Sequence, residues 1–207
     1  MEDPDRGRQQ VDYGSRIRAL RRQRRMTLQQ VASAVGISAS ALSQIERGVS
    51  LPSVQRLPLI AQALGARLGE LFASEDEISG SEQIVVRRAS DPALMSMSSG
   101  VTYRRLTAAP IPDIDLFESI WEPLAASGQP GEFMSHPGFE GGTVSQGTLE
   151  LRFRDRTVTL DEGDSITFDS ALPHHLSNPS PHRFATATWV LHRHGAIPPG
   201  HSAPPPD

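Results

Sequence analysis

Residues 28–47, LQQVASAVGISASALSQIER, decide how the first part of this 207-residue chain folds. Leu28, Val31, Ala32 and Val35 recur at i, i+3, i+4 and i+7, one apolar stripe of a helix. Thr27 stands just ahead with Gln30 three residues on, the capping-box arrangement that satisfies two helix N-terminal donors at once. Gly36 follows the last apolar position, where a helix end favours positive φ. Ile37 is apolar, and Ser38 is placed to cap a second helix. That helix buries Leu42 and Ile45, turns Ala39, Ser40, Ser43 and Gln44 outward, and stops at Gly48. Two short helices joined by a tight turn form a helix-turn-helix, whose second helix enters the DNA major groove.

Working outward, Tyr13 to Arg25 reads as a first helix burying Ile17 and Leu20, with Arg18, Arg21, Arg22, Arg24 and Arg25 on its basic side. Ser53 reads as the cap of a fourth helix with Val54, Leu57, Ile60, Ala61 and Leu64 inside, and Pro58 should bend that helix or delay its start. Leu68 to Phe72 makes a last turn. The wording VASAVGISASALSQIERG, followed by Pro52 and Ser53, resembles the Xre-type helix-turn-helix domain of phage repressors and bacterial regulators. The resemblance covers roughly residues 13–72 and implies a five-helix, lambda-repressor-like bundle. It implies that Ala39, Ser40, Ser43 and Gln44 meet bases at an operator in double-stranded DNA and that Ser38 contacts the DNA beside them; Gln44 can make paired bonds to an adenine edge. It also implies that Arg16, Gln29 and Arg47 meet phosphates.

Composition agrees with a divided chain. All 20 basic residues are Arg, and there is no Cys, which excludes disulfides and thiolate metal sites. Residues 14–72 carry a net charge of +7 and residues 73–207 one of −9. A basic small domain joined to an acidic larger one suggests that only the first meets nucleic acid. No apolar run is long enough to cross a membrane, and MEDPDRGRQQ lacks the apolar core of a secretion signal, so a cytoplasmic protein is expected. The expected organisation is a disordered tail at 1–12, the DNA-binding domain at 13–73, a linker at 74–82, an all-β domain at 83–194 and a second disordered tail at 195–207.

Beyond the linker the apolar period becomes two. Ile84 and Val86 read as one face of a strand; Leu149, Leu151 and Phe153 alternate with charged residues. Val158 and Leu160, Ile166 and Phe168, and Ala185, Ala187, Trp189 and Leu191 continue the pattern, with Pro/Gly turn signals between. Many short strands of this spacing indicate a sandwich or barrel. All seven His lie in this half. His136-x3-Glu140 with Gly147 further on, then Gly163-Asp164 with Pro173-His174 and Asn178, resemble the two cupin motifs. That resemblance covers roughly residues 128–192 and implies a jelly-roll β-barrel with a central pocket, so the whole chain is expected to be a two-domain α then all-β protein.

His136 and Glu140 are an even number of residues apart, so an extended chain points both inward, where His174 can join them. Two imidazoles and one carboxylate on one side of an ion form a facial triad suited to Fe or another divalent metal such as Zn, Mn or Ni. Where the cupin pattern usually has a further His, this chain has Met134, a poor ligand for hard ions. The same pocket without metal offers hydrogen-bonding groups and an anion to an effector, with Met134 and Trp189 as wall. His175 should point the opposite way from His174. The two halves together resemble small-molecule-responsive repressors that act as homodimers, without membrane association. The competing reading is a metalloenzyme of the hydroxypropylphosphonate epoxidase type, an iron cupin behind a helix-turn-helix-like domain.

Overall fold

The computed structural model of the protein describes residues 12–71, 84–88 and 94–192. The expected tails and linker lie outside the described residues, except Asp12. That residue caps the first helix, accepting from Ser15 N at 3.0 Å, where the sequence reading had put it in the tail. Five helices come first: α1 (Tyr13–Gln23), α2 (Leu28–Val35), α3 (Ala39–Glu46), α4 (Arg56–Ala63) and α5 (Leu68–Leu71). Both halves of the Thr27–Gln30 capping box form, Gly36 ends α2 at φ 74°, and the Ser38 side chain accepts from Ala41 N. Gly14 lets α1 cross closely over the end of α3, because a Cβ there would sit 2.5 Å from the Ile45 carbonyl oxygen. Ile17, Leu42, Leu57, Ile60 and Leu71 are fully buried between the helices.

Two details of the helical part differ from expectation. Helix α1 stops at Gln23 rather than Arg25, because Arg25 takes a left-handed φ of 55° to turn the chain toward α2. Ser53 does not cap α4: its hydroxyl has no partner, and Gln55 takes the N-cap place without a side-chain bond. The later start leaves Pro58 in the first turn of α4, where a missing N–H costs nothing.

The second part is antiparallel β. Strands β1 (Leu94–Ser96), β2 (Val101–Arg105), β3 (Ile114–Trp121), β4 (Phe139–Gln146), β5 (Leu149–Phe153), β6 (Thr157–Leu160), β7 (Ser165–Asp169), β8 (His174–Ser177) and β9 (Ala185–His192) form two sheets. The larger has the order β1-β2-β3-β9-β4-β7 and the smaller β6-β5-β8. Burial alternates along β3, with Asp115, Phe117, Ser119 and Trp121 inward. Gly142 faces Trp189 across the β4–β9 ladder, and a Cβ there would lie 2.3 Å from the indole. The glycine therefore makes the room in which Trp189 lies. Ile84 and Val86 form no strand and are 81% and 63% exposed. Alternation makes a strand only where a ladder partner exists, and the first described pairing begins at Leu94.

Candidate DNA-reading face and cupin pocket

On α3, Ser40 and Gln44 are exposed, as is Ser38 at its cap. Ala39 and Ser43 are half-buried, and Ala39 packs against the core, so the outward face is narrower than the sequence suggested. Arg47 is exposed, its Nε donating to the Ser43 carbonyl at 3.3 Å. Gln29 is exposed and donates to Ser33 Oγ at 3.2 Å. Arg16 is half-buried and its Nε donates to the Glu70 carbonyl at 3.2 Å, which ties it to α5. Arg21 is no member of the basic face: its guanidinium bonds both oxygens of buried Glu46, at 2.6 and 2.8 Å.

The pocket of the β domain is lined by His136 and Glu140 with Met134, Tyr103, Phe117 and Trp189, and His174 stands against Glu140. His136 lies in the loop before β4, so the straight extended chain assumed from the even spacing is absent. Pro137 and Gly138 bend the segment, Gly138 at φ 120°, and His136 N donates to the Ser170 carbonyl. The side chains still converge: His136 Nε2 is 2.8 Å and His174 Nε2 3.4 Å from Glu140 Oε1. Met134 pairs with His174 through two backbone hydrogen bonds of 2.9 Å, which places its side chain beside the triad. Burial pushes the Glu140 carboxyl up, but the contacts with His136 and His174 outweigh it and hold the group at about 2. Burial, and then the Glu140 charge, push the Tyr103 phenol up.

These residues suit a cation. The ligating atoms of the triad lie within 4.8 Å of one another. His174 Nδ1 is 2.7 Å from the Leu172 carbonyl oxygen, which can only accept, so Nδ1 carries a proton. In the neutral ring, Nε2 then turns its lone pair toward Glu140, the arrangement of a metal-ligating His with an outer carbonyl partner. Glu140 Oε1 and His174 Nε2 are buried without a hydrogen bond of good geometry. With that ring neutral, two acceptors face each other in a dry site, which is costly until a proton or a metal ion lies between them.

Sequence reasoning missed part of this pocket. Tyr103 and Phe117 come from strands not recognised in the sequence, and Val54, Pro58 and Leu68 come from the helical domain. The last three carried only the signal of helix-core residues. His175 points away from His174 as expected, yet it is buried, against Glu132 and Gln55.

Comparison with known proteins agrees with both halves. Residues 17–71 match the Helix-turn-helix family and residues 123–191 the Cupin domain family. The chain thus carries an Xre-type helix-turn-helix domain followed by a C-terminal cupin domain, the arrangement of a DNA-binding class of transcriptional regulators. It is similar to the HTH-type transcriptional regulator PuuR of Escherichia coli (strain K12), 29% identical over 81% of this chain and 88% of that one. A crystal structure of an HTH_3 family transcriptional regulator from Vibrio cholerae shares the fold, with a TM-score of 0.65 at 22% identity over 89% of this chain and 97% of that one. Hydroxypropylphosphonic acid epoxidase from S. wedmorenis also matches, over 87% of this chain and 97% of that one, at 18% identity and a TM-score of 0.44. Likeness of that size transfers no chemistry, whereas PuuR, matched in sequence over 81% of this chain, is a transcriptional regulator. No described helix is long and apolar enough to cross a membrane.

Proposed function

We propose that this protein is a cytoplasmic, homodimeric repressor whose cupin pocket binds a small-molecule effector and a divalent metal. The observation that carries it is the coexistence of an exposed polar α3 face with a triad in the other domain whose buried Glu140 Oε1 and His174 Nε2 lack hydrogen-bond partners. Ser40 and Gln44 read base edges, Ser38, Ala39 and Ser43 fit the groove around them, and Arg16, Gln29 and Arg47 hold phosphates. A dimer sets two such helices about 34 Å apart, one DNA turn. His136, Glu140 and His174 hold the metal, which when bound supplies the positive charge that this acceptor cluster calls for.

Operator binding tests the reading. Gln44→Ala should cost about 1–3 kcal/mol on the operator and relax preference at one base pair. Arg47→Ala should instead weaken operator and random DNA alike and flatten the salt slope by about one unit. Equal loss on both DNAs for Gln44→Ala would remove it from base reading. On metal-loaded protein, a change in operator affinity caused by a small molecule, and lost in Glu140→Gln, is the expected sign of the effector site.

A further inference from the structure

The cavity beside His136 and Glu140 is lined in part by the DNA-binding domain. Val54, Pro58 and Leu68 form part of its wall, and Val54 and Leu68 are nearly fully buried there. The cavity volume is about 20 Å³, room for one water or one ion. An organic molecule reaching Glu140 must therefore displace a wall. The β side resists, because Phe117, Trp121 and Trp189 are packed between hydrogen-bonded strands.

The helical wall is held by far less. Gln55 N donates to the Ser127 carbonyl at 3.2 Å and its side-chain amide to the Glu132 carbonyl at 3.0 Å. Ser98 N donates to the Pro52 carbonyl at 3.1 Å. Gly69 N donates to Asp115 Oδ1 at 2.9 Å, and Arg105 Nη1 donates to the Gly69 carbonyl at 3.2 Å. Gly128 is what allows the close seating, since a Cβ there would lie 2.3 Å from the Gln55 amide carbon. On β8, His174 touches Glu140 while its neighbour His175 sits 3.4 Å from the Gln55 amide, so one strand touches both the Glu140 site and the seam.

We propose that the DNA-binding domain is the lid of the effector pocket. A ligand larger than one water or ion enters only as α4 and α5 lift from the cupin, so occupancy and the docked arrangement are alternatives. The ligand's preference for the lifted state is then the free energy that moves α3 in each protomer. The inference rests on the pocket being the effector site.

The test is acrylamide quenching of tryptophan fluorescence in the full chain. Acrylamide is larger than one water, Trp189 lines the cavity, and Trp121, the other of the two Trp, is fully buried outside it. Gln55→Ala and Gly128→Ala lie outside both the DNA-reading face and the cavity lining. Each should raise the quenching constant severalfold; losing one seam hydrogen bond multiplies the open population by about five. Gln55→Ala only removes atoms, which keeps the test open should Gly128→Ala not fold. Conversely, Pro52→Cys with Ser98→Cys in this Cys-free chain should, once oxidised, hold quenching at or below the wild-type value, and reduction should release it. Equal quenching in the oxidised, reduced and seam variants would overturn the lid. The effector role is read separately from Glu140→Gln and operator binding, so a failure of either idea does not hide the other.

Discussion

Two carboxylates are buried to nearly the same depth in the two domains, Glu46 at 6% exposure and Glu140 at 5%. Their surroundings differ. Glu46 receives both arms of the Arg21 guanidinium, a complete pair that joins α1 to α3 and leaves no valence over. Glu140 faces two imidazoles, and its Oε1 finds no well-directed donor. Full satisfaction serves a fixed structure, because nothing further can bind without breaking it. Incomplete satisfaction costs stability and is kept where a ligand completes the set. The DNA-binding domain thus carries its charge pair as a brace, and on the function proposed above the cupin carries its own as a receptor.

The largest test of that difference is to break the brace. Arg21→Ala leaves Glu46 buried and unpaired and should destabilise the helical domain by about 3–5 kcal/mol. Replacing both, Arg21→Met with Glu46→Leu, should return stability to within about 1 kcal/mol of wild type. Chemical denaturation followed by circular dichroism reads both; a loss well under 1 kcal/mol for the single variant would make the pair a surface contact.

In the receptor, the corresponding change acts through the ligand. Zn(II) added to chelator-stripped wild type should raise its melting temperature, by up to about 2.7 kcal/mol of stabilisation at a hundredfold excess over Kd. Glu140→Gln should bind the ion at least about tenfold more weakly, a loss of about 1.4 kcal/mol. It should still fold and bind DNA, because the helical domain has its own core. The same rise in both proteins would exclude Glu140 as a ligand.

An exposed carboxylate sets the lower end of the scale. Asp12 accepts from Ser15 N and Oγ, and those bonds hold its carboxyl below the usual 3.8. Its folded value lies under its unfolded one, so its stabilisation is present above 3.8 and fades as pH falls through the folded value. Asp12→Ala should cost at most about 1 kcal/mol at neutral pH and less in strong acid. An equal cost at both would mean that charge plays no part in the cap.

How much could be read in advance differs along the chain for a physical reason. Thr27, Gln30, Gly36 and Ser38 act on backbone groups two to four residues away, so their bonds follow from spacing alone. Ser53 failed as a cap although its residue type is right, because Pro58 set where α4 could begin. Ile84 and Val86 have the alternation of a strand, but a ladder needs a second chain segment at the correct register. Ala39 and Ser43 lie on the polar arc of α3, and only the packing of neighbouring helices decided that they are half covered.

The sequence by itself determined the helix-turn-helix, the change to period two, the charge division and the residues of the triad, since each is written in local spacing or in a motif. Tertiary structure decided that Arg21 belongs to Glu46, that His136 reaches Glu140 around a bend, and that Val54, Pro58 and Leu68 wall a pocket in the other domain. Those contacts join residues far apart in the chain, where apolar side chains look alike in sequence whether they fill their own helical core or close a neighbour's cavity. Only the docking of one folded surface on another distinguishes the two.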